Sequence, residues 1–284
     1  MLDIIRSIIL GIIEGITEWL PISSTGHLKL VGNLLAFEGV SPAFTDMFEY
    51  VVQLGAILAV LVFYWSKLWP FVPKEKGYIN KKSLMIWSKV IVGMLPAAVA
   101  GFLLDDWVED FVGEGRTEAI VISVALIAYG ILFIIVELIN AKRAPKTVTT
   151  KALSYKDAFL IGLFQALSII PGTSRSGSTI LGAMILGVSR TVAAEFSFFL
   201  AVPVIFGASL LKMVKFMLAT NFTLSGIEFV ILTVGMIVAF VVSMLVIKFL
   251  MKYIKKKDFK IFGYYRIVLG IIVLVCVFAG LFAN

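Results

Sequence analysis

Glu14-Gly15-Ile16-Thr17-Glu18-Trp19-Leu20-Pro21-Ile22-Ser23-Ser24-Thr25-Gly26-His27 is a polar, turn-forming segment set in sequence that otherwise reads as membrane. A second such segment is Pro171-Gly172-Thr173-Ser174-Arg175-Ser176-Gly177-Ser178-Thr179. Each interrupts an apolar run with proline, glycine, hydroxyls and charge. A charged side chain at the bilayer centre costs roughly 3 kcal/mol on insertion scales. These residues therefore belong in a protein-lined or wet cavity, where the charge is put to use.

Working outward, the rest of the chain is strongly apolar. Hydrophobic residues make up 60% of its 284 positions. Apolar stretches recur from end to end, which describes a polytopic helical membrane protein and not a soluble core. Nothing resembles a linker, so residues 1–284 read as a single transmembrane domain. The net charge of +7 comes from loop lysines and speaks to orientation and lipid contact. No nucleic-acid partner is expected. The single cysteine, Cys276, lies in an apolar run, which excludes an intrachain disulfide or a cysteine-based metal site. Glu14 and Glu18 sit within the first apolar stretch, so that stretch does not read as a cleavable signal.

Six segments are long enough to span a bilayer: about 47–69, 84–104, 119–140, 191–217, 226–251 and 265–283. Two further segments are broken, 4–20 with 28–37 and 158–170 with 179–187, and each arm is too short to cross. They predict two re-entrant helical hairpins. The halves resemble one another. Gly11 and Glu14 align with Gly162 and Gln165, Pro21–Gly26 with Pro171–Gly177, and Val92-Gly93-Met94 with Val234-Gly235-Met236. Glu49 follows the first hairpin as Glu195 follows the second. The expected fold is therefore all-α, six full transmembrane helices plus two re-entrant hairpins. Repeat 1 covers about 1–140 and repeat 2 about 155–284. Three spans per half make the repeat inverted in topology, so the two hairpin tips meet.

Charge sets orientation. Segments 67–82, 142–156 and 252–260 hold five Lys or Arg each and fall on one side. The opposite loop, 105–118, holds Asp105, Asp106, Glu109, Asp110, Glu114 and Glu118 against Arg116. The lysine-rich side is expected to be cytoplasmic. Lys212 and Lys215 fall near the outer end of a span and are expected to snorkel. Glu137, Lys89 and Arg190 fall near span ends and read as interfacial. Trp65, Trp69, Trp87 and Trp107 fit an aromatic belt.

Several residues carry candidate chemistry. Glu14 and Glu18 share one helix face. They can hold a divalent cation, act as an acid/base pair, or simply hydrogen-bond within the bundle. His27, the only histidine, can attack phosphorus or protonate a leaving group. Ser24 is a rival nucleophile or a phosphate ligand, with Ser23 and Thr25 beside it. Arg175, with Ser174, Ser176, Ser178 and Thr179 at the start of a helix expected near residue 178, makes a phosphate site. It could equally form an ion pair with Glu14 or Glu18 that locks the hairpins together. Glu49, Gln53 and Glu195 read as supporting residues.

The two motifs, Glu14-Gly-x-x-Glu18-x-x-Pro21-x-Ser23-Ser24-Thr25-Gly26-His27 and Pro171-Gly172-x-Ser174-Arg175-Ser176-Gly177, resemble the signature regions of the undecaprenyl-diphosphate phosphatase (bacitracin-resistance) family. The resemblance implies a bacterial inner- or plasma-membrane hydrolase whose active site faces outward. It would convert undecaprenyl diphosphate to undecaprenyl phosphate and inorganic phosphate, recycling the carrier lipid for cell-wall synthesis and conferring bacitracin resistance. It implies a divalent cation, Mg2+ or Ca2+, with Glu14 and Glu18 as its holders. His27, Ser24 and water stay open as the attacking group. Membrane lipid is a partner throughout, and a homodimer is compatible with the sequence. A lipid-carrier transporter using the same polar site is the alternative.

Overall fold

The computed structural model describes residues 1–73, 78–113, 115–220 and 223–281, without the side chains of residues 25, 29 and 32–34. The expectations that fall on Thr25, Lys74, Lys76, Glu114 and the end of the span reaching 283 lie outside the described residues.

The described chain is helical throughout. Six helical stretches are long and apolar enough to cross a membrane: Pro42–Phe63, Lys81–Val112, Arg116–Asn140, Arg190–Ala219, Gly226–Tyr253 and Lys260–Phe278. They match the six expected spans, with shifted ends. The first starts earlier than expected because Ser41 caps the Phe44 N–H with its hydroxyl and Pro42 takes the first helical position. It comprises α3 (Pro42–Val51) and α4 (Gln53–Phe63), and α5 (Trp65–Leu68) follows as a separate turn. The second, α6 (Lys81–Val112), runs on through the acidic stretch and stops at Gly113, whose φ of 63° favours glycine. The remaining four are α7 (Arg116–Asn140), α10 (Arg190–Ala219), α11 (Gly226–Tyr253) and α12 (Lys260–Phe278).

The two broken segments form short helix pairs. The first is α1 (Leu2–Thr17) with α2 (Ser24–Leu35), and the second α8 (Tyr155–Ala166) with α9 (Arg175–Ile185). At 1.5 Å per residue, α2, α8 and α9 are about 16–18 Å long, well short of a hydrocarbon core about 30 Å thick. Capping fixes where they begin: Ser154 and Asp157 form a reciprocal capping box at α8.

Packing follows an exchange pattern. The first short pair leans on the second half of the chain, α1 against α11, and the second leans on the first half, α8 against α6, while α7 packs along α12. Glycine makes both exchanges close. A Cβ at Gly11 would stand 2.7 Å from the Gly235 carbonyl oxygen, and one at Gly162 would stand 2.1 Å from that of Gly93. Backbone approach of this kind is how helices associate where apolar burial gives no drive between them. The centre of the bundle is α9 and α10, buried continuously over Ser176–Met184 and Val192–Val202.

Three charges near span ends have partners that the sequence did not name. Glu137 is buried within the protein: Arg190 grips both its oxygens through Nε at 2.9 and 3.0 Å, and the Phe259 N–H donates to Oε1 at 2.8 Å. Lys89 is buried and donates to the Lys151 carbonyl at 2.7 Å. Lys212 does not snorkel to solvent alone; Asp46 on α3 takes its ammonium at 3.0 Å. In each case a charge too costly to leave bare has found a partner. Trp65, Trp69 and Trp107 are exposed as a belt requires, whereas Trp87 is half-buried and donates to the Leu68 carbonyl.

Candidate functional site

The turns inside the two short pairs have the same construction. Ser23 and Ser174 are the N-caps of α2 and α9, at φ 73° and 69°. Neither is glycine, so each holds a backbone state that costs an L-residue about 1–2 kcal/mol. Each hydroxyl accepts a hydrogen bond from the backbone N–H three residues on, Gly26 at 3.3 Å and Gly177 at 3.1 Å. The twist turns the chain sharply and starts the second helix at once. As a result α9 begins at Arg175 rather than near residue 178, and α2 begins at Ser24. Arg175 and Ser24 thus both occupy the first helical position after a strained serine.

The two turns meet. Arg175 donates to Glu18 Oε1 through Nε at 3.1 Å and Nη2 at 2.8 Å, and through Nη1 to the Ser197 carbonyl at 2.9 Å. Both side chains are about nine-tenths buried. The guanidinium lies over the Trp19 ring, and Ser176 donates to the Leu20 carbonyl. Of the two partners the sequence offered to Arg175, Glu18 is the one it takes.

Arg266 completes the junction. It is fully buried on α12 and donates to the carbonyls of Pro21 at 3.2 Å, Gly172 at 2.9 Å and Thr173 at 3.0 Å, so one guanidinium ties both turns. Its face lies over Tyr129. The sequence reading missed Arg266, along with Ser197 and Tyr265. Arg266 did carry a signal, since a charge inside an apolar span is a functional-site flag in its own right.

Glu14 lies one turn before Glu18, as the helix period requires. It is 3% exposed, and its Oε1 has no hydrogen-bond partner. Trp19 Nε1 is likewise buried and unpaired. An unpaired buried carboxylate oxygen is costly unless a ligand completes it. Among the described residues no group of three or more His, Cys, Asp or Glu converges as a protein-only metal cage. The fitting set is smaller: Glu14 with its open oxygen and Glu18 with the oxygen that Arg175 leaves free. Two hard oxygen donors suit a divalent cation whose remaining ligands come from substrate phosphate.

His27 lies on α2, one turn into the helix. Its Nδ1 is 2.7 Å from the Ser23 carbonyl and its Nε2 is 2.7 Å from the Tyr265 hydroxyl. A carbonyl can only accept, so Nδ1 carries the proton. In the neutral ring Nε2 therefore holds the lone pair, and Tyr265 donates to it. Ser24 is half-buried beside this pair, and its hydroxyl makes no hydrogen bond among the described residues.

The other expected phosphate ligands divide. Ser174 and Ser176 hydroxyls lie 3.3 Å apart at the start of α9. Thr179 is fully buried, with its hydroxyl 2.6 Å from that of Ser197 and donating to the Arg175 carbonyl. It braces Arg175 through the fold. Ser178 donates to Tyr129. Glu49 is exposed on α3, and Gln53 donates its amide to the Glu49 backbone carbonyl. Glu195 is not brought to the junction. It pairs with Lys67 at 2.6 Å and accepts from Thr150, in the wall of a separate cavity.

Known proteins resemble the chain over nearly its whole length. The model of the family described as bacitracin resistance protein BacA matches residues 7–272. A protein of Latilactobacillus sakei named undecaprenyl-diphosphatase is 53% identical over 277 residues, covering 98% of each chain. One of Acetivibrio thermocellus with the same name is 54% identical, covering 96% of this chain and 97% of its own. One of Lactobacillus delbrueckii subsp. bulgaricus, again so named, is 55% identical, covering 97% and 98%.

Proposed function

We propose a mechanism for a chain that belongs to the bacitracin resistance protein BacA family. The chain is a multi-pass membrane enzyme, an undecaprenyl-diphosphatase. It hydrolyses undecaprenyl diphosphate to undecaprenyl phosphate and inorganic phosphate, which returns the lipid carrier to cell-wall synthesis. The observation that carries this is identity above half, over almost the whole length, to relatives named for that reaction. Those relatives bear the name of a hydrolase, so the transporter alternative is not favoured.

In our reading the diphosphate enters at the junction of the two turns while the prenyl tail remains in lipid. Arg175 is the first phosphate ligand: a planar, permanently charged fork at a helix N-terminus. To take phosphate it shares or releases Glu18, so that the resting ion pair holds the guanidinium aimed before substrate arrives. Ser174 and Ser176, next to it, donate to phosphate oxygens, and Ser23 and Ser24 serve the opposite side. Glu14 and Glu18 are the donors for a divalent cation, Mg2+ or Ca2+. Held there, such an ion would act as a Lewis acid and offset the negative charge that builds on the phosphate oxygens. His27 either attacks phosphorus through Nε2 or takes the proton of Ser24 or water as that oxygen attacks. In both cases Tyr265 first gives up its hydrogen bond to Nε2. The P–O bond to the bridging oxygen breaks and undecaprenyl phosphate leaves; after attack by His27 or Ser24 water then hydrolyses the phosphoenzyme to inorganic phosphate, whereas attack by water gives inorganic phosphate directly.

The inverted-repeat architecture belongs to this reading too. One domain holds two halves, about 1–140 and 155–284, each with a re-entrant pair followed by three spans. The matching strained serines and the exchanged packing of α1 and α8 support it. With the lysine-rich loops cytoplasmic, the first hairpin enters from outside and the site opens to the outer face. Phosphate release from a prenyl diphosphate in detergent tests the whole reading. Release by wild type that fails with EDTA and fails in Arg175→Ala is expected. Metal-independent release would remove the cation, and full release by Arg175→Ala would remove the phosphate site.

A further inference from the structure

A cavity of about 440 Å³ lies at the far end of α9 from Arg175, between the loop after α7, the loop that links α9 to α10, and the end of α11. Arg143 and Lys146 from the loop after α7 and Lys255 from the end of α11 bring three cations to its lining, and Arg190 adds a fourth. No carboxylate lines it. Arg190 is already committed to Glu137, whereas the side chains of Arg143, Lys146 and Lys255 make no ion pair among the described residues. Like charges gathered from two segments repel one another, and no carboxylate within the cavity offsets them.

The cavity is built and not incidental. Asn140 donates its amide to the Met184 carbonyl at 3.0 Å, the Lys146 N–H to the Gly187 carbonyl at 2.8 Å, and the Ser189 N–H to the Thr147 carbonyl at 2.9 Å. These bonds pin the 140–147 loop to the α9–α10 turn. One wall is apolar, with Met184, Ile185 and Ile254, and Ile185 is half-exposed. A cationic rim beside an apolar wall at the end of a helical bundle matches an amphiphile with an anionic head.

We infer that this cavity binds the headgroup of an anionic phospholipid, with an acyl chain lying on the Ile185 side. Binding neutralises the three unpaired cations and clamps the turn that ends α9, the helix whose other end carries Arg175. A zwitterionic lipid fits poorly, because its own ammonium repeats the repulsion.

The test is native mass spectrometry of the detergent-purified protein titrated with phosphatidylglycerol or phosphatidylcholine of the same acyl chains. Wild type is expected to retain one phosphatidylglycerol at least about tenfold more tightly than phosphatidylcholine, since each surface cation contributes roughly 1 kcal/mol toward an anionic lipid. The triple variant Arg143→Gln/Lys146→Gln/Lys255→Gln is expected to lose that preference. The control variant Lys142→Gln/Lys256→Gln/Lys257→Gln removes the same charge from neighbouring positions outside the cavity and is expected to keep it. Equal loss in both variants would reduce the effect to general surface charge and overturn the site. Displacement of the lipid by millimolar inorganic phosphate would reassign the cavity to a soluble anion. Should the triple variant not fold, equal retention of the two lipids by wild type still overturns the proposal. Prenyl diphosphate hydrolysis by the same samples reads the active site independently.

Discussion

Arg175 Nη2 lies 2.8 Å from Glu18 Oε1, joining two turns that stand 157 residues apart in the chain. A buried pair of this kind has two separable roles. It ties the two turns together, and in the proposed function it holds a guanidinium aimed for phosphate. Removing one partner of a buried pair costs about 3–5 kcal/mol, mostly because the other charge is stranded. Arg175→Ala is therefore expected to lower the thermal unfolding temperature and to cut turnover at least about a hundredfold. Adding Glu18→Gln relieves the stranded charge, so the double variant is expected to recover much of the stability and none of the turnover. Recovery of turnover together with stability would make Arg175 a structural lock only.

Glu14 offers a cleaner handle on the cation. Its Oε1 has no hydrogen-bond partner, so Glu14→Gln breaks no hydrogen bond at that oxygen and keeps the side-chain volume. Its alignment partner in the other half, Gln165, is itself a buried glutamine. Folding is expected to hold, while the concentration of Mg2+ or Ca2+ needed for half-maximal phosphate release rises about tenfold or more. An unshifted titration with normal maximal rate would take Glu14 out of the cation site.

The strained serines make a prediction with an unusual sign. At most N-caps Ser→Ala costs about 1 kcal/mol and Ser→Gly only a few tenths. Ser23 and Ser174 also hold left-handed backbone, which glycine relieves by about 1–2 kcal/mol. Ser174→Gly is thus expected to unfold at a higher temperature than wild type and Ser174→Ala at a lower one, with Ser23 behaving alike. Hydrolysis by Ser174→Gly should still fall, because the hydroxyl beside Arg175 is gone. A glycine variant less stable than wild type would show that the lost hydroxyl bond outweighs the relieved strain.

Much of this was readable beforehand, and the reasons are physical. Apolar runs about 20 residues long exposed the six spans, and two acids in half a helix exposed Glu14 and Glu18, because both features are dictated by hydrocarbon. The meeting of the turns was foreshadowed by the expected inversion of the two halves. What the sequence hid was conformational or long-range. Nothing in the letters of Ser23 or Ser174 announces a positive φ, so both helix starts were placed too late. Arg266 was passed over because its three carbonyl partners, Pro21, Gly172 and Thr173, are backbone atoms that any residue supplies. Glu195 read as a supporting residue with no partner named, and the fold gives it Lys67 and Thr150, both distant in the chain.

The Tyr265–His27 contact bears on the open question of the attacking group. With Nδ1 held by the Ser23 carbonyl, the only lone pair of the neutral ring is on Nε2, and the Tyr265 hydroxyl covers it. If Nε2 is the reacting atom, this hydrogen bond restrains it and must break in each turnover. Tyr265→Phe keeps the ring stacked on His27, with centroids 5.6 Å apart, and removes only that bond. Phosphate release by Tyr265→Phe is expected to stay within about tenfold of wild type and its acidic pH limb to shift, because Nε2 loses a donor that competes with its own protonation. The sign follows directly: a donor to Nε2 disfavours imidazolium, so without it the ring holds its proton to higher pH and the limb moves upward. His27→Ala is expected to lose at least about a hundredfold by comparison. An unmoved limb in Tyr265→Phe with full loss in His27→Ala would leave His27 as a holder of the Ser23 turn and pass the attack to Ser24 or water.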